Sequence, residues 1–86
     1  MQEIVEVIVS HVRSLVELMV DRKDEVIINH QLVPESATLL VNIRVADREF
    51  GKVIGRGGSN IKSMRTIFEA IAAKNRLRLV LEVADK

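Results

Sequence analysis

The stretch Val53-Ile54-Gly55-Arg56-Gly57-Gly58-Ser59-Asn60-Ile61-Lys62 decides how this chain is read. Glycines at both ends of Gly55-Arg56-Gly57-Gly58 let the backbone turn sharply and remove side chains that would hold a ligand away. A helix is predicted to begin at Gly58 or Ser59 and run to about Asn75. Its first N–H groups and the positive end of its dipole suit an anion such as a phosphate. Arg56 stands at the loop tip. Lys52, Lys62 and Arg65 lie within about one to two helical turns of the loop ends. Val53, Ile54 and Ile61, with Ile43 or Val45 from a neighbouring strand, are candidates for an apolar floor under an unpaired base. Duplex would not fit a narrow groove of this kind.

Other glycine motifs do not fit. A dinucleotide fingerprint needs a third glycine three residues after the second, and after Gly57 that position is Asn60. A P-loop needs Gly-Lys-Ser/Thr at its end, and Gly58 is followed by Ser59-Asn60. A plain glycine-rich corner between helices needs neither three glycines nor a cationic rim.

Working outward, Ala46-Asp47 opens a short helix, with Asp47 as N-cap and Arg48 to Ile54 filling about two turns. Upstream, Thr38 to Val45 alternates Leu39, Val41, Ile43, Val45 against Leu40, Asn42, Arg44, a half-buried strand. Glu25 to Val33 reads as a strand, joined to the next across the Pro34-Glu35-Ser36 turn. Ile4 to Val20 carries apolar residues at 4, 8, 12, 15 and 19, a helical stripe, and a second set at 5, 9, 16 and 20 widens it. Downstream, Ile61, Met64, Ile67, Phe68, Ile71 and Ala72 form the apolar set of the long helix. Leu77 to Val83 alternates as a final strand. The order is α-β-β-α-α-β, an α+β two-layer sandwich with three helices on one face of a three-stranded mixed sheet. Residues 1–86 are expected to form a single domain, with a short tail over 84–86.

Charge is distributed unevenly. Residues 1–43 hold three Lys or Arg against seven Asp or Glu, a net −4. Residues 44–65 hold six against two, a net +4, and this block coincides with the glycine segment. A local basic patch on a chain of net +1 suggests a confined anionic ligand.

Several function classes are disfavoured. Aromatic content is 2%, only Phe50 and Phe68, so a base-stacking aromatic sheet is out. There is no cysteine, and His11 and His30 are far apart, so no metal site or disulfide is expected. His30, near the hairpin, is a minor candidate for ligand contact. No nucleophile–base constellation suggests an enzyme, and no cofactor is expected. Glu6, His11, Arg13 and Glu17 interrupt the first apolar segment, which argues against a membrane span.

The glycine segment resembles the signature of the KH domain family, whose GXXG loop clamps the backbone of about four nucleotides. The element order resembles its type II, prokaryotic arrangement. Val45-Ala46, Gly51-Lys52-Val53-Ile54-Gly55 and Leu81-Glu82-Val83 resemble the small bacterial single-KH proteins of the KhpA group. The resemblance covers nearly the whole chain. It implies a cytoplasmic, non-catalytic RNA chaperone or regulator, self-associating or working with a larger KH-containing RNA-binding partner. By that resemblance Gly55, Arg56, Gly57 and Gly58 are the phosphate clamp; with the nearby cations and apolar floor, the expected RNA-binding set is Lys52, Val53, Ile54, Gly55, Arg56, Gly57, Gly58, Asn60, Ile61, Lys62 and Arg65. Gln31 to Ser36 would be the variable loop bordering the groove. Ser59-Asn60 departs from the pattern, where a basic residue followed by a small one is common. A second reading is a protein-interaction module, in which the first helix or the face around Met64 to Ala73 buries against a second copy or another protein. Single-stranded DNA is open as a ligand alongside RNA.

Overall fold

In the computed structural model, residues 2–84 are described. They form α1 (Gln2–Met19), β1 (Ile27–Val33), β2 (Thr38–Arg44), α2 (Phe50–Ile54), α3 (Ser59–Lys74) and β3 (Arg78–Val83). The sheet order is β1-β2-β3. β1 pairs antiparallel with β2, and β2 pairs parallel with β3, with Leu39 opposite Leu79 and Ile43 opposite Val83. The α-β-β-α-α-β order and the mixed sheet are those expected.

Alternation in the strands decides which face is covered. Leu39, Val41 and Ile43 of β2 and Leu79 and Leu81 of β3 are buried under the helices, while Leu40, Asn42, Val80 and Glu82 are not. Val5, Ile8, Val12 and Val16 carry α1 into the same core, which closes around Val53, Ile61, Met64, Phe68 and Ala72. Both apolar sets of α1 contribute to this one face. Ile4, Val9, Leu15 and Met19 flank it, leaving Val7 and Leu18 exposed.

Element ends differ from the pattern where local turns intervene. β1 begins at Ile27, not Glu25, because Lys23–Glu25 close a 3₁₀ turn in which the Glu25 N–H donates to the Arg22 carbonyl at 3.0 Å. Ala46, not Asp47, occupies the cap position of a 3₁₀ turn over Asp47–Glu49, and no side chain caps it. α3 ends at Lys74 with Asn75 as its C-cap, at the expected stop, in a Schellman arrangement. The Arg76 N–H donates to Ala73 and the Leu77 N–H to Ala72, with Arg76 at φ 64. Leu77 is used in that stop, so β3 starts at Arg78. Ala84 donates its N–H to the Ile43 carbonyl at 2.7 Å, and the rest of the expected tail lies outside the described residues.

Two residues of α3 depart from the expected apolar face. At 100° per residue, Ile61, Met64, Phe68 and Ala72 form one line, and Ile67 and Ile71 lie about 105° and 65° away from its centre. They are 55% and 39% exposed.

The hairpin is also displaced from its expected neighbour. α3 runs back over β3, with the Arg65 Nε donating to the Leu81 carbonyl at 2.9 Å. The Arg78 N–H meets the Ala37 carbonyl at 2.8 Å, at the hairpin end of the sheet. The glycine loop precedes α3, so the 16 residues of that helix, about 24 Å, separate it from the hairpin. Gln31 to Ser36, expected to border the groove, therefore lies at the opposite end of α3 from the glycine loop. Among the described residues, no helix is long and apolar enough to cross a membrane, and no three His, Asp or Glu side chains group as metal ligands.

Candidate nucleic-acid interface

α2 has only five residues, too few to persist alone, so its neighbours must fix it. Val53 sinks fully into the core from its middle. At its end Gly55 adopts φ 79, ψ 169, a conformation open in practice only to glycine. A Cβ there would stand 2.7 Å from the backbone nitrogen of Asn60. Gly57 and Gly58 follow at φ 62 and φ 81, completing a reversal that L side chains resist.

The loop closes on itself. The Gly55 N–H donates to the Gly51 carbonyl at 2.8 Å, and the Gly58 N–H to the Gly55 carbonyl at 3.0 Å. Arg56 and Gly57 are left exposed at the tip. Directly behind them α3 begins; the Ser59 N–H is taken by the Arg56 carbonyl, and the N–H groups that follow in the first turn have no helical acceptor. Arg56 and Lys62 are exposed and make no ion pair among the described residues. Backbone donors, a positive helix end and two uncommitted cations thus share one rim, which suits a phosphate diester.

The remaining expected site residues divide by what they touch. The Lys52 Nζ is engaged at 3.0 Å with Asp21 and at 3.4 Å with Glu49. The hydrogen bond and charge of Asp21, then those of Glu49, raise its pKa above the ordinary lysine value. The Arg65 guanidinium serves the Leu81 carbonyl. The Asn60 Nδ2 donates at 2.8 Å to the carbonyl of Lys52 and so fastens the first turn of α3 to α2. Val53, Ile61, Ile43 and Val45 are core residues, and of the expected floor residues only Ile54 is half-exposed. Phe68 is in the core and Phe50 is half-buried at the start of α2. His30 pairs with Val41 within the sheet, away from the loop.

Glu49 has no role in the sequence reading, yet it is only 4% exposed. Its one signal was an acidic residue inside the positive block, directly before the α2 segment.

A short helix, a glycine-closed loop and a longer helix, set on a sheet whose β2 and β3 run parallel, define a KH domain in its type II arrangement. The sequence profile described as the KH domain of KhpA/KhpB matches residues 9–83, and the chain belongs to that family. It is 36% identical over 80 residues to the RNA-binding protein KhpA of Aquifex aeolicus, covering 88% of this chain and 99% of that one. It is 34% identical over 74 residues to the RNA-binding protein KhpA of Borreliella burgdorferi, covering 86% and 88%. It is 32% identical over 83 residues to the RNA-binding protein KhpA of Clostridium perfringens, covering 96% and 99%. No solved structure shows a significant match.

Proposed function

We propose that this chain is a non-catalytic, cytoplasmic RNA-binding protein that holds about four nucleotides of single-stranded RNA through Gly55 to Gly58. The observation that carries this reading is the exposed Arg56-Gly57 tip in front of the N-terminal turn of α3, with Arg56 and Lys62 in no ion pair among the described residues. The curated relatives, named as RNA-binding proteins, favour RNA over single-stranded DNA. In this reading phosphates meet the loop backbone, Arg56 and Lys62, and a base rests on Ile54. Lys52, Val53, Ile61 and Arg65 act from behind, by holding α2 and α3.

So few contacts give weak binding, and pairing of domains raises avidity through effective concentration. Ile67 and Ile71, exposed on α3, favour a second copy or a larger KH-containing partner as the means of pairing. The chain then acts as an RNA chaperone or regulator. Photo-crosslinking of a bound RNA octamer, followed by peptide mass spectrometry, tests the assignment. The expected crosslinks fall between Ile54 and Lys62. Crosslinks confined to the open sheet face, around Leu40 and Val80, would refute it.

A further inference from the structure

The carboxylate of Glu49 is buried in an 86-residue domain with few other buried polar groups. Burying a charge is unfavourable unless it is fully hydrogen-bonded. Glu49 meets that condition with the backbone just beyond α1. Its Oε2 accepts the N–H of Asp21, its Oε1 accepts the N–H of Arg22 at 2.9 Å, and Lys52 closes the set at 3.4 Å. Charge-assisted bonds of this kind are the stronger class. The Asp21 N–H above all, with Arg22 and Lys52, holds the carboxyl below its ordinary pKa against the effect of burial.

A second attachment sits at the other end of α2. There the Asn60 amide donates at 2.8 Å to the Lys52 carbonyl, and the Asn60 backbone packs where a Gly55 side chain would stand. Only the amide nitrogen of Asn60 can donate to a carbonyl, so its orientation is fixed. The five-residue helix that leads into the glycine loop is thus held at the front by Glu49 and at the back by Asn60. Lys52 belongs to both attachments, by its ammonium to the first and by its carbonyl to the second.

We infer that Glu49 and Asn60 are positioning residues for the phosphate clamp: together they fix α2, and with it Gly55 to Gly58, between the end of α1 and the start of α3. The inference rests on the reading of the loop as the RNA clamp. It moves Asn60 from ligand contact to support, and it gives Glu49, absent from the expected set, a function. It also explains why Lys52 lies beside the loop without joining it.

The test uses the full chain with Glu49→Gln, Asn60→Ala and Asp21→Asn. Amide exchange by NMR reads Gly55 and Gly58, whose N–H groups are bonded inside the loop, against Val41 in the central strand. Glu49→Gln replaces one acceptor oxygen with a donor facing a backbone N–H, and Asn60→Ala removes the rear bond. Each is expected to speed exchange at Gly55 and Gly58 about tenfold by local opening while Val41 keeps its protection. Asp21→Asn loosens only the Lys52 ammonium and leaves the Glu49 bonds to backbone, so loop exchange is expected to stay at the wild-type rate. If Glu49→Gln does not fold, Glu49→Asp takes its place, since the shorter side chain keeps the charge and loses reach.

In parallel, a labelled uridine octamer is titrated. Asn60→Ala is expected to weaken binding about tenfold with an unchanged salt slope, since no charge is lost. Unchanged Gly55 and Gly58 exchange in the folded variants would overturn the inference, as would an equal rise at Val41. If the wild type binds no octamer while the exchange pattern appears as stated, the RNA reading fails and the positioning role stands.

Discussion

Replacing Gly55 by alanine should damage this domain more than any other glycine substitution, and the structure supplies the magnitude. Gly55 sits at φ 79, ψ 169, where a side chain costs about 1–3 kcal/mol in backbone strain alone. The added Cβ would also lie 2.7 Å from the Asn60 nitrogen and 2.9 Å from the Asn60 Cβ. A backbone atom in a helix start cannot swing aside, so the cost reaches the upper end, about 3 kcal/mol. For a domain of this size that lowers Tm by about 12–24 °C. Gly57→Ala meets open space at φ 62 and should cost about 1–2 kcal/mol. Gly51→Ala meets open space inside α2 without a positive φ, and should stabilise by about 0.5–1 kcal/mol. Thermal unfolding followed by circular dichroism, with urea midpoints as a second measure, ranks the three. A Gly55→Ala protein as stable as Gly57→Ala would refute the claim that the loop is sterically closed against Asn60.

Other outcomes follow from the same geometry. Glu49 has a depressed carboxyl pKa, so the stability it contributes is complete above the ordinary value near 4.5 and is lost as pH falls through the lower folded value. Urea midpoints should hold level from about pH 7 to 5 and drop below about 4.5, with a shallower drop in Glu49→Gln. Asp24, lowered mainly by its hydrogen bond to Arg22, titrates in the same acid range, and an identical drop in both proteins would assign the acid loss to it. Ile67→Asp should change monomer stability by less than about 0.5 kcal/mol, because the residue is exposed. Under the proposed self-association, the same variant should bring the light-scattering mass down to that of a monomer, and an unaltered mass above it would place the pairing surface elsewhere. Lys62→Ala should make the salt slope of RNA binding shallower by about 0.7, the share of one phosphate; an unchanged slope would remove Lys62 from the site.

The fold was legible because its signals are local and periodic. Leu39, Val41 and Ile43 alternate on one side of β2, and Asn75 stops α3 where a polar residue should. The glycine loop was legible for the same reason, since three glycines before a helix need no tertiary context. What sequence could not supply was direction. Lys52 and Arg65 are cations near the loop by number, but Asp21 and the Leu81 carbonyl, remote in sequence, draw them away from it. Val53 and Ile61 are apolar at suitable positions, and close packing takes them into the core instead of the groove. The family resemblance puts the hairpin of Gln31 to Ser36 at the border of the groove. The parallel pairing of β2 with β3 and the length of α3 put it at the opposite end. Ile67 and Ile71 are apolar at near-helical spacing, but the angle around α3 separates them from Phe68 and Ala72 and leaves them exposed.

The most direct measurement concerns the Arg56-Gly57 tip of the glycine loop. Arg56 and Gly57 are exposed and contribute little to the core. The Arg56→Asp, Gly57→Asp double variant should fold and should bind a single-stranded RNA octamer too weakly to detect. The wild type should bind it with a salt slope of about −1.4 to −2.8, the release expected from two to four phosphates. An affinity for the octamer equal to that of the wild type, in a folded double variant, would contradict the assignment of Gly55 to Gly58 as the site where RNA is held.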